Sequence, residues 1–122
     1  MHRVYISGPM RGYEDYNYPA FMEMEEWLRQ RDDVADVWNP ARNDTWDRTE
    51  DGPTRSRNLD LALVLNWATM VVVLSGWEDS KGACAEVFAA RWAEVPIMTG
   101  QYVGTALPDL MEIDPDEIEV DW

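Results

Sequence analysis

Met70-Val71-Val72-Val73-Leu74-Ser75-Gly76-Trp77-Glu78-Asp79-Ser80-Lys81-Gly82-Ala83-Cys84-Ala85-Glu86 is the stretch from which the fold of this chain is read. Its first five residues are apolar without alternation, which predicts a strand buried on both faces, as in the centre of a parallel sheet. Ser75-Gly76 stops the run, a short polar loop follows, and a helical pattern opens at Ser80. A buried strand, a tight loop and a helix N-terminus in succession make the ligand-binding corner of an open α/β sheet. Ser80 is suited to cap the helix, because its hydroxyl can accept from the amide of Gly82 or Ala83. Gly82 removes a side chain where a ligand would approach the backbone. Glu86 lies on the same helical face one turn deeper, so its carboxylate can point into the space above the strand end. Glu86 is therefore the candidate chemical centre.

Outward from this corner, strands and helices alternate. Val4-Tyr5-Ile6 predicts a short buried strand, ended by the turn chemistry of Ser7-Gly8-Pro9-Met10-Arg11-Gly12. Tyr13, Tyr16 and Tyr18 crowd the same loop, either to stack on a base or to cover the sheet end. Pro19 suits a first helical turn, and Phe21, Met24, Trp27 and Leu28 then recur at helical spacing, closed by Asp32-Asp33. Val34 to Trp38 predicts a second strand. Ala41 to Pro53 is polar and aperiodic, read as a long loop that either folds over a ligand or is a surface excursion. A second helix is expected from Thr54 to about Asn66, with Leu59, Ala62 and Leu63 on its inner stripe and Asp60 as a solvated acid on a generic helix. The third helix runs roughly from Lys81 to Ala93, and Val95 to Met98 forms a fourth strand. The resulting β-α-β-α-β-α-β order predicts one α/β domain over residues 1–122: a three-layer, parallel, four- to five-stranded flavodoxin-like or Rossmann-like sheet with helices on both faces. Residues 100–122 read as an acidic tail, in which Ile118 to Trp122 alternates and suits an edge strand or a crossing to another subunit.

Composition narrows the function. The chain has 122 residues and a formal charge of −14, which disfavours nucleic-acid phosphates and anionic lipid as partners. Its apolar runs are too short to cross a bilayer, and the start shows no signal peptide, so a cytoplasmic location is expected. Cys84 is the single cysteine and His2 the single histidine. No internal disulfide, zinc cluster or Ser/His/Asp set can be assembled, and no EF-hand spacing occurs, so no metal or cofactor is expected. The first loop is not Gly-x-Gly-x-x-Gly and no Walker A motif is present. Carboxylate chemistry remains. A carboxylate can attack an anomeric carbon to give a covalent glycosyl-enzyme, with a second carboxyl group assisting the leaving group.

Tyr5-Ile6-Ser7-Gly8-Pro9-Met10, then Asp60, then Gly76-Trp77-Glu78-Asp79-Ser80-Lys81-Gly82-Ala83 with Glu86, resembles the nucleoside 2-deoxyribosyltransferase superfamily, and within it the short, often phage-borne DUF4406 branch. The resemblance runs from Val4 to about Ile97. It implies Glu86 as nucleophile, Asp60 near the leaving base and Tyr5 holding the glutamate. It implies that Ser7, Gly8, Pro9, Met10 and Arg11, with Ser80 and Gly82, meet the sugar or a 5′-phosphate, with Trp77 lining the pocket and Asp79 an alternative acid. The implied activity is cleavage or exchange of the N-glycosidic bond of a 2′-deoxynucleoside. The alternatives are hydrolysis of a nucleoside 5′-monophosphate and a non-catalytic nucleotide-binding module. The implied partners are a small nucleoside or nucleotide and further copies of the chain; the abundance of tryptophan also favours a homo-oligomer. Ala68-Thr69 stands where the transferases often carry an aspartate.

Overall fold

A computed structural model describes residues 1–43, 52–101 and 109–117. The chain is α/β. Strands β1 (His2–Ser7), β2 (Val34–Trp38), β3 (Met70–Val73), β4 (Ile97–Gln101) and β5 (Asp109–Glu112) form one sheet in the order β2-β1-β3-β4-β5. Helices α1 (Tyr18–Leu28), α2 (Gly52–Asn66) and α3 (Lys81–Trp92) connect them. β1 to β4 pair in parallel, whereas β5 runs antiparallel to β4, with Thr99 opposite Met111. The sheet is thus mixed rather than parallel. The reason is chain length: a parallel return needs a crossover of about a dozen residues or more, and only positions 102–108 separate β4 from β5. The tail expected at 100–122 therefore supplies the end of β4 and an edge strand at Asp109–Glu112, while Ile118 to Trp122 lies outside the described residues.

Alternation along the strands sorts the core. Val4, Ile6 and Val72 pack with Phe21, Met24 and Leu28 of α1, whereas Tyr5, Val71 and Val73 pack with Val64 of α2 and with Val87 and Ala90 of α3. β3 is buried along its whole length, as its unbroken apolar run requires.

The second helix departs from expectation in phase. Val64 is fully buried, while Leu59 is 49% exposed and Ala62 also faces solvent. Residues 59–65 are apolar on nearly every side, so periodicity cannot choose the inner stripe. The β-branched Val64 takes the core, and the rotation carries Asp60, one turn earlier, off the solvent face. The polar segment is also shorter than expected: Pro40–Asn43 form a 3-10 turn and α2 already opens at Gly52.

Candidate functional site

β1 and β3 lie side by side, but their continuing chains leave toward helices that pack in different clusters, α1 after β1 and α3 after β3. That divergence opens a crevice at the carboxyl ends of the strands. Leu74 N donates to Ser7 O at 2.8 Å and fixes the mouth of the crevice. Gly8 is dictated by this approach, since a Cβ there would stand 2.8 Å from Leu74 Cβ. Gly76 adopts φ +88°, and a Cβ on it would collide with the Tyr13 hydroxyl. Trp77–Asp79 make a 3-10 turn, and Ser80 then caps α3, its hydroxyl accepting from Ala83 N at 3.2 Å. Gly82 has open space where a side chain would be.

Glu86 projects from the second turn of α3 toward β1. Ser7 Oγ donates to its Oε1 at 2.7 Å, and the Tyr5 hydroxyl donates to its Oε2. Tyr5 and Ser7 are two apart on one strand, so both point to the α3 side. Both are fully buried. Burial pushes the Glu86 carboxyl up to about 7; the Tyr5 and Ser7 hydrogen bonds pull against this, and the charge of Asp60 adds to it. Tyr5 is raised well above the ordinary phenol value, by burial first and then by the Glu86 and Asp60 charges. Asp60 on α2 accepts a 3.4 Å hydrogen bond from Trp38 Nε1 at the end of β2. Three elements, β1, α2 and α3, thus bring Tyr5, Ser7, Asp60 and Glu86 into one electrostatic unit, with Trp38 of β2 holding Asp60.

The remaining expected residues divide. Pro9 is buried, and its carbonyl accepts from Asn17 Nδ2 at 2.9 Å; Met10 packs into the α1 core. Arg11 and Asp79 are exposed, and Ser80 and Gly82 stand at the open start of α3. Trp77 is buried in the α3-side core and contributes one wall of a cleft of about 620 Å³ beside the ends of β3 and β4. Tyr13, Asn17, Glu23, Gly76, Glu78 and Thr99 also line this cleft. A larger cleft, of about 790 Å³, lies away from these residues between α3 and β5. Glu86 lines neither. Its connection to the smaller one runs through Ser7, which is bonded to Leu74 on the cleft wall.

Two contacts were not foreseen from the sequence. Ser7, expected among the substrate contacts, also donates to Glu86, a contact for which period-2 spacing from Tyr5 was the available signal. Trp38 carried no local signal, because its contact to Asp60 depends on how α2 crosses the sheet. Among the described residues, no group of three or more His, Cys, Asp or Glu side chains is placed to hold a metal ion. Likewise, no described helix is long and apolar enough to cross a membrane.

No curated protein and no solved structure matches the chain. The model of a family described as a domain of unknown function, DUF4406, matches residues 2–99, which include every strand and helix that carries Tyr5, Ser7, Asp60 and Glu86, and the chain belongs to that family.

Proposed function

We propose that the protein cleaves or exchanges the N-glycosidic bond of a 2′-deoxynucleoside, in the manner of the nucleoside 2-deoxyribosyltransferases. One observation carries this reading: a largely buried glutamate at the carboxyl ends of the strands, held through both oxygens by neutral hydroxyls and raised to about 7. A carboxylate so placed is oriented without being neutralised by a cation, which suits it to attack carbon. In the proposed reaction a Glu86 oxygen bonds to C1′ as the C1′–N bond breaks. The base leaves with the bonding electrons and takes a proton from Asp60 or Asp79. An acceptor base then attacks C1′, returns a proton to the same acid and releases Glu86 as its bond to C1′ breaks. With water in place of the base, the same steps give hydrolysis. Tyr5 and Ser7 keep the carboxylate aimed and stabilise its anion.

The strand order up to β4 is that of flavodoxin-like sheets, and the reading extends it to a three-layer flavodoxin-like or Rossmann-like arrangement. It also includes a homo-oligomer, supported by Leu59 and Leu65 standing exposed on α2. A second reading, a nucleoside 5′-monophosphate hydrolase, is favoured by the open backbone at Gly82 and the exposed Arg11, since free amides at a helix start attract phosphate. The acids Glu23 and Glu78 on the neighbouring cleft oppose a phosphate there and favour the uncharged nucleoside.

The test is incubation with deoxynucleosides and their 5′-monophosphates, with and without a free acceptor base, beside Glu86→Ala. Base exchange that requires the acceptor and vanishes in Glu86→Ala supports the transferase. Base release from monophosphates alone supports the hydrolase. Silence across the panel from folded protein overturns both in favour of a binding module.

A further inference from the structure

We propose that the cleft between α3 and the β5 edge is a docking groove for a protein segment that combines apolar anchors with flanking lysines or arginines. The inference is independent of the reaction proposed above, because the groove is lined by none of Tyr5, Ser7, Asp60 and Glu86. α3 buries Val87 and Ala90, but presents Phe88 and Trp92, one turn apart, outward at 52% and 80% exposure. A single exposed aromatic is ordinary. Here the two share one wall of a concavity of about 790 Å³ that continues over Val95, Ile97 and Ile113. Contiguous apolar surface of that kind, rimmed by polar groups, marks an interaction site.

The rim identifies the occupant. Glu94, Glu112, Asp114, Asp116 and Glu117 surround the apolar floor, and Arg91 is the one cation among the described lining residues. Arg91 itself displays the chemistry that the groove accepts. Its guanidinium lies 5.9 Å from the Phe88 ring centroid and pairs with Asp116. Trp92 offers a second aromatic face to a cation and an apolar surface to an anchor residue, with four further carboxylates within the same rim. A second copy of the chain is a poor occupant, because a two-fold contact would set this acidic rim against itself in a protein of charge −14.

The full-length protein is titrated by calorimetry, at physiological ionic strength, with three synthetic peptides of equal length: leucine–lysine, leucine–glutamate and serine–lysine. Binding of the leucine–lysine peptide alone is expected. Trp92→Ala and Glu112→Lys should each weaken it at least about ten-fold without changing the melting temperature, as for substitutions at a binding hot spot and its charged rim. Equal binding of the serine–lysine peptide would reduce the effect to bulk charge and overturn the proposal. So would undiminished binding by both variants. An assembly seen by sedimentation that Trp92→Ala dissolves would assign the groove to a second copy instead.

Discussion

Among the described residues two glutamates leave the surface, and their surroundings differ in kind. Glu25 on α1 is 4% exposed and is met by Arg29 at 2.8 Å, by Arg42 and by Asn39 at 3.1 Å. Glu86 on α3 is met, among the described residues, only by the hydroxyls of Tyr5 and Ser7, with a second acid, Asp60, in electrostatic reach. Burial raises both carboxyls. At Glu25 the arginine and asparagine hydrogen bonds outweigh it and leave the group below its ordinary value, whereas at Glu86 burial wins. An acid compensated by cations is a clamp: it ties α1 to the turn after β2. An acid given only neutral donors is held in place while remaining reactive, and such groups gather at functional sites.

The comparison breaks most decisively at Glu86. Replacing it by Gln keeps the shape and removes the nucleophile, so base release or exchange should fall by at least about a thousand-fold in the chromatographic assay. Glu25→Gln should leave that assay within about two-fold, and yet lower unfolding stability by about 2 kcal/mol in denaturant titration. That figure sits below the range for fully buried pairs because Arg29 and Arg42 are themselves half exposed and can rehydrate. A catalytic loss from Glu25→Gln, or a stable, active Glu86→Gln protein, would erase the distinction.

The pH dependence of stability sharpens it. Glu86 has a folded value raised above its ordinary one, so its contribution is fully present below about pH 4.5 and is lost as pH rises through about 7. Glu86→Gln should therefore gain stability over the parent protein across that window, by at most about 3 kcal/mol and by less where solvent reaches the carboxylate. Glu25 has the opposite sign: its contribution is present above the ordinary carboxylate value and fades as pH falls through its lowered one. Parallel melting curves of parent and Glu86→Gln protein from acid to neutral pH would contradict the assignment.

Smaller effects come from the neighbours. Tyr5→Phe removes a donor to the Glu86 anion. The acid limb of the pH–rate profile should move to higher pH, and the rate should fall about ten- to a hundred-fold. Asp60→Asn removes a like charge, so the same limb should move to lower pH by less than about one unit. A limb that moves the same way in both variants would show that the Glu86 environment is not the one described.

Much of this was legible in the residue order. The unbroken 70–74 run placed a central strand, Ser80 was recognised as a cap, and Val34–Trp38 emerged with the expected bounds. These features are local: each depends on burial on both faces, on one hydroxyl and its amides, or on flanking turns. The phase of α2 was not legible, because a helix apolar on most sides has no dominant stripe; by periodicity Asp60 read as a solvated acid, and only the family resemblance put it at the site. The direction of β5 depended on how few residues precede it rather than on its own pattern.

The sequence by itself determined the succession of strands and helices and the identity of the acid at the opening of α3, since periodicity, capping and turn chemistry act over a few residues. Local pattern did not say what that acid touches: Tyr5 was expected there only from the family resemblance, and the Ser7 contact came from the tertiary structure. Tyr5 and Ser7 stand 81 and 79 positions from Glu86, and Trp38 stands 22 from Asp60. Contacts across such separations follow from strand order and from the face on which each helix crosses, and no local pattern encodes them.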